Sequence, residues 1–190
     1  MGGLDKGLQA HDGVPLALHV VRRLGPQVAT VLVNANRNLD AYAALGAPVV
    51  ADTLPDRPGP LAGFLAGLER CATPLLVAVP CDVPGLPLDL VARLREGLDG
   101  TDAELAIAAT RAVDDGARGD AEGERLQPTF CLMRTTVAPA LRAYLAGGGR
   151  KIATWTAMHR RAVVRFDDAD AFANVNSLAD LAALARRRHG

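Results

Sequence analysis

Pro74-Leu75-Leu76-Val77-Ala78-Val79-Pro80-Cys81-Asp82-Val83-Pro84 contains an unbroken apolar run, Leu75 to Val79, halted by two prolines that bracket a Cys-Asp-Val turn. Proline cannot donate to a strand ladder, so the run ends abruptly at Pro80. Five apolar residues without alternation suit a strand buried on both faces. Such a strand needs a layer of helix on each side, which makes this stretch decisive for the fold.

Working outward, helical and strand patterns alternate along the chain. Helices are expected at Pro15–Leu24, Asp40–Leu45, Leu61–Cys71, Pro87–Leu98, Val137–Leu145 and Ile152–His159. Strands are expected at Val28–Val33, Val49–Ala51, Pro74–Val79, Ala103–Thr110, Gln127–Met133 and Ala162–Phe166. Ser177, with Asp180 three residues on, marks the start of a last helix. This order implies βαβ units: an α/β fold with a mostly parallel sheet and helices on both faces. The polar stretch Asp114–Gly123 and the strand after it are expected to add an antiparallel edge. With 190 residues and no linker or repeat, a single domain spanning 1–190 is expected.

Composition narrows the functions. The 21 basic and 21 acidic side chains balance, so no broad positive field favours nucleic acid. No apolar run is long enough to span a bilayer. Three cysteines, Cys71, Cys81 and Cys131, show no metal-like spacing. A reduced, cytoplasmic protein is the expectation, without nucleic-acid or membrane partners. Lysine is scarce: 19 of the 21 basic residues are arginine, leaving only Lys6 and Lys151. The five asparagines fall in two groups, Asn34, Asn36 and Asn38, then Asn174 and Asn176. A compact ammonium and a paired donor–acceptor amide have no equivalent among other side chains. These scarce residues therefore head the search for a site.

In parallel sheets ligands collect at the carboxyl ends of strands. Asp82 stands there after the apolar strand, where a carboxylate often anchors magnesium for nucleoside triphosphates, or simply serves a turn. Asn34 and Asp52 end two other strands, and turn chemistry would explain each alone. Met1-Gly2-Gly3-Leu4-Asp5-Lys6-Gly7 offers backbone amides and an ammonium for phosphate, or is an ordinary flexible terminus. Arg57-Pro58-Gly59-Pro60-Leu61-Ala62-Gly63 is a rigid loop against which a planar ligand can pack. Gly147-Gly148-Gly149-Arg150-Lys151 could receive an anion before a helix. Asn174-Val175-Asn176 places two amides on one side of an extended segment.

In their order, these motifs, with Val33-Asn34-Ala35-Asn36-Arg37, Asp52-Thr53-Leu54-Pro55-Asp56 and Gln127-Pro128-Thr129, resemble the molybdenum-cofactor guanylyltransferases (MobA-type) over nearly the whole chain. The resemblance implies a three-layer, Rossmann-like nucleotidyltransferase fold and Mg2+-dependent transfer of GMP from GTP to molybdopterin, with pyrophosphate released. It implies that Lys6, Asn34, Asp52 and Asp82 contact GTP, that Lys6 and Asp82 are catalytic, and that Asp82 holds the metal. Gly3, Gly59, Asn174 and Asn176 would face molybdopterin, with Arg150 and Lys151 adding basic contacts. Proteins of molybdoenzyme maturation are the further partners it implies. Members of that family begin with a strand, a Leu-Ala-Gly-Gly loop and an arginine ahead of Met-Gly-Gly. Met1 stands at that internal methionine, so the N-terminal strand and the first half of the glycine loop are expected to be lacking here. Two rival readings stay open: a cytidylyl or sugar-phosphate nucleotidyltransferase, and a non-catalytic nucleotide- or pterin-binding remnant.

Overall fold

The structure, a computed structural model, describes residues 5–54, 59–111 and 123–175. Gly3, Arg57, most of the 114–123 excursion, Asn176 and the expected last helix lie outside these residues. In chain order the elements are β1 (Ala10–His11), β2 (Val14–Pro15), α1 (Leu16–Leu24), β3 (Val33–Asn34), α2 (Leu39–Ala43), β4 (Val49–Val50), α3 (Pro60–Arg70) and β5 (Leu75–Ala78). They continue with α4 (Leu90–Leu98), β6 (Leu105–Arg111), β7 (Glu124–Arg134), α5 (Ala138–Ala146), α6 (Ile152–Ala157) and β8 (Arg161–Phe166).

Four strands form the central sheet in the order β5-β7-β6-β8, and β3 pairs in parallel with β4. Three of the four strands run in one direction, with β6 and β8 paired in parallel. The exception is β7, antiparallel to both β5 and β6. The sequence placed an antiparallel strand at an edge, whereas β7 lies inside the sheet. β7 pairs back directly on β6, which antiparallel strands can do through a short connection whereas parallel ones need a longer crossover. Its far edge then accepts β5.

Alternation along β6 sorts the two helical layers. Ala106 and Ala108 face one core with Val20 and Leu24 of α1 and Leu90, Leu94 and Leu98 of α4. Leu105 and Ile107 face the other core, with Leu61, Phe64, Leu65 and Leu68 of α3, Leu141 and Leu145 of α5, and Trp155 of α6. Residues two apart on a strand share a face, and residues four apart on a helix do likewise. The three-layer α/β architecture follows from these two periods together.

Three departures from the sequence expectation have physical causes. Val28–Val33 gives only a two-residue strand, because its described partner is the two-residue β4. The hairpin β1–β2 joins Ala10–His11 to Val14–Pro15 through Asp12 and Gly13, both at positive φ. That Asp-Gly dipeptide is the usual signal of such a turn. In β7 the register shifts opposite Ile107 and Ala108, which pair with Cys131 and Gln127. Pro128 falls in the intervening bulge, where its missing N–H breaks no ladder bond.

Candidate active site

The apolar strand β5 delivers Asp82 to the sheet end as the sequence anticipated. The residue is 8% exposed, and the Lys6 ammonium lies 3.9 Å from its Oδ2. Burial pushes the Asp82 carboxyl above its ordinary value, against the opposing pull of its own backbone hydrogen bond and of Lys6. A carboxylate kept at that cost makes Asp82 a candidate for function as well as for turn chemistry. The Val175 amide donates to the Asp82 carbonyl at 2.9 Å. This bond brings the segment carrying Asn174, which is itself exposed, onto the Asp82 loop.

Asn34 and Asp52 meet at the ends of β3 and β4. Asn34 Nδ2 donates to Asp52 Oδ1 at 2.9 Å and to the Val50 carbonyl at 3.1 Å. Asn36 closes the arrangement: its Nδ2 donates to Asp52 Oδ2 at 2.8 Å, and its Oδ1 accepts from the Asp52 amide at 2.9 Å. Both carboxylate oxygens are thus oriented by neutral donors while keeping lone pairs for a ligand. Helix α3 comes close enough that a methyl at Gly63 would overlap Asn34 Oδ1. Gly59 starts that helix at φ +84°, a conformation that favours glycine.

Between these two clusters runs the turn Lys6–Leu8. Asp5, just before it, accepts from Tyr42 Oη (2.6 Å), Asn38 Nδ2 (3.0 Å) and Arg37 Nε (3.3 Å). Asp5, Asn36, Asn38 and Tyr42 were not assigned from the sequence. The asparagines at least stood within the scarce group.

Arg150 behaves differently from the other expected ligands. Its Nη1 donates to the carbonyls of Leu145 (2.9 Å) and Gly149 (2.7 Å), satisfying the C-terminal end of α5. Lys151 is exposed at the start of α6.

Cys81 is unsuited to nucleophilic chemistry. It is exposed as a residue, but burial of its sulfur, with the Asp82 and Asp5 carboxylates, pushes its thiol up to about 11. Its sulfur lies against Gly7, where a Cβ would come within 3.1 Å. Alkylation of Cys81 by iodoacetamide, followed by mass spectrometry, is expected to be slow at neutral pH and to accelerate until about pH 11.

A carboxylate and an ammonium meeting beyond the carboxyl end of β5, in a three-layer α/β domain, are parts that a nucleotidyltransferase site uses. Residues 1–163 match the MobA-like NTP transferase domain family. The chain is 56% identical over 181 residues to a protein of Bordetella petrii named molybdenum cofactor guanylyltransferase, covering 95% of this chain and 88% of that one. The chain belongs to the molybdenum cofactor guanylyltransferases. In fold it is similar to molybdopterin-guanine dinucleotide biosynthesis protein A from Archaeoglobus fulgidus, with a TM-score of 0.73 at 18% identity, covering 98% and 92% of the two chains. It is similar too to 2-C-methyl-D-erythritol 4-phosphate cytidylyltransferase from Thermus thermophilus, with a TM-score of 0.73 at 20% identity, covering 95% and 94%. Among the described residues no helix is long and apolar enough to cross a membrane.

Proposed function

We propose that this chain, as one nucleotidyltransferase domain, joins GTP to molybdopterin in the cytoplasm by transferring GMP and releasing pyrophosphate. The observation that supports the reading is the buried Asp82 carboxylate 3.9 Å from the Lys6 ammonium at the end of β5. The relatives' shared name supplies the substrates.

The terminal phosphate of molybdopterin attacks the α-phosphorus of GTP in line. A new phosphorus–oxygen bond forms as the bond to the β-phosphate bridge breaks, and pyrophosphate carries away the electron pair. Lys6 draws the polyphosphate and offsets its charge. Asn34 and Asp52 present an amide and an oriented carboxylate to the nucleoside. Gly3, Gly59, Asn174 and Asn176 form the molybdopterin side, with Lys151 and the backbone-bound Arg150 on its basic flank. Proteins that receive the finished cofactor for molybdoenzyme maturation are its later partners.

The donor set fits Mg2+, a hard cation that takes one or two carboxylates and completes its shell with water and substrate phosphate. Asp82 would hold it. When bound it neutralises charge gathering on the α-phosphate oxygens. With no covalent enzyme intermediate, the protein's own contribution is positioning and electrostatics.

Pyrophosphate release with molybdopterin as acceptor tests this reading. GTP is expected to support release and CTP to fall at least about tenfold behind in kcat/KM, as a site that reads its base by hydrogen bonds requires. Equal use of CTP would move the protein to the cytidylyl branch. Nucleotide binding with no release would make it a binding remnant.

A further inference from the structure

Asp5 has no part in the reaction above, yet its environment is built with care. Its side chain is 14% exposed, and three donors converge on it from α2 and the loop before it. Tyr42 gives its hydroxyl to Oδ1, while Asn38 and Arg37 share Oδ2. Burial disfavours the ionised carboxyl, but these partners outweigh it and hold Asp5 below its usual range.

Two further observations show that the arrangement is specific. Asn38 sits at φ +52°, a left-handed conformation uncommon outside glycine, and its amide reaches Asp5 from there. The Tyr42 hydroxyl also presses on Gly7, where a Cβ would lie only 2.5 Å from the oxygen. One buried hydroxyl therefore touches the residue before Lys6 and the residue after it. The intervening turn is short and internally bonded, from the Leu8 amide to the Asp5 carbonyl and from the Gln9 amide to the Lys6 carbonyl. A displacement of Asp5 passes directly to Lys6.

We propose that Tyr42, assisted by Asn38, is a positioning residue of the transferase: it grips Asp5 and Gly7 and so aims the Lys6 ammonium at Asp82 and the bound triphosphate. A buried tyrosine merely satisfied by a nearby acceptor would stabilise the fold without acting through Lys6. The inference rests on the reading of Lys6 as a GTP ligand.

The test is the dissociation constant of Mg·GTP, measured by titration calorimetry on the full chain and on Tyr42→Phe, Asn38→Gly, Lys6→Ala and the Tyr42→Phe/Lys6→Ala pair. Tyr42→Phe removes only the hydroxyl. Asn38→Gly keeps the left-handed backbone and removes only the amide. Binding stoichiometry reports the folded fraction of each. Each of the three single variants is expected to weaken GTP by about tenfold, and the pair by no more than about twofold beyond Lys6→Ala alone, the mark of groups acting as one unit. An equal penalty from Tyr42→Phe in both backgrounds would reduce Tyr42 to a structural role and overturn the inference. So would wild-type affinity of Tyr42→Phe beside a weakened Lys6→Ala, which leaves the reading of Lys6 intact. Wild-type affinity of Lys6→Ala removes that reading and the inference with it.

Discussion

Asp82→Asn is expected to slow guanylyl transfer by a hundredfold or more, about 3 kcal/mol of transition-state stabilisation, while making the unliganded protein more resistant to heat. The two effects share one cause. Asp82 is nearly enclosed, and burial raises its carboxyl above 3.8 despite Lys6. A carboxyl raised in the folded state favours folding only while protonated. That contribution is complete below the unfolded value and is lost as pH rises through the folded one. At neutral pH the ionised group is a burden on the apo fold, and a neutral amide of the same shape relieves it. The same exchange removes the charge that would hold Mg2+ and complement Lys6. Thermal melts at several pH values check the first half: the gain should be present at pH 7 and shrink as pH falls towards 3.8. Pyrophosphate release at saturating substrate checks the second. Near-normal turnover would remove Asp82 from the site.

The contrast between Asp82 and Asp5 explains how far the sequence could be read. Asp82 was legible because a run of five apolar residues and two prolines fix the strand end on which it stands, whatever packs around it. Asn34 and Asp52 were legible for the same reason, each ending a short β-branched strand. Their mutual contact was not, since parallel pairing of β3 with β4 joins residues far apart in the chain. Asp5, Asn38 and Tyr42 escaped because their signal is tertiary: a tyrosine on a short helix acquires meaning only when a distant carboxylate lies 2.6 Å from its hydroxyl. The interior place of β7 was missed because alternation and turn residues show that a strand exists, not which neighbours it takes. Arg150 shows a demand the sequence did not reveal. A basic residue after three glycines suggested an anion site, and the structure has its Nη1 also donating to the carbonyls of Leu145 and Gly149 at the end of α5.

Phe172→Ala is expected to destabilise the protein by about 3 kcal/mol and to weaken the acceptor more than GTP. Phe172 is 4% exposed, and its ring meets Phe130 edge-on at 4.7 Å and Phe166 at 5.0 Å. Phe130 fills the bulge side of β7 and Phe166 ends β8, so one ring fastens the segment beyond β8 to two strands of the sheet. Three residues later the Val175 amide reaches the Asp82 carbonyl, with Asn174 exposed beside it. Removing the ring leaves a cavity among aromatic partners and loosens the anchor that sets this bond. Lys6, Asn34 and Asp52 are held by β3, β4 and the turn at Lys6, and Asp82 stands beyond β5, so the GTP side leans on Phe172 only through the Val175 bond to the Asp82 carbonyl. GTP affinity should therefore change by no more than about threefold while the KM for molybdopterin rises about tenfold, since interactions through separate contacts are close to independent. Chemical denaturation supplies the stability figure and steady-state kinetics the two substrate constants. Equal losses for both substrates would mean that Phe172 supports the whole site rather than its acceptor side.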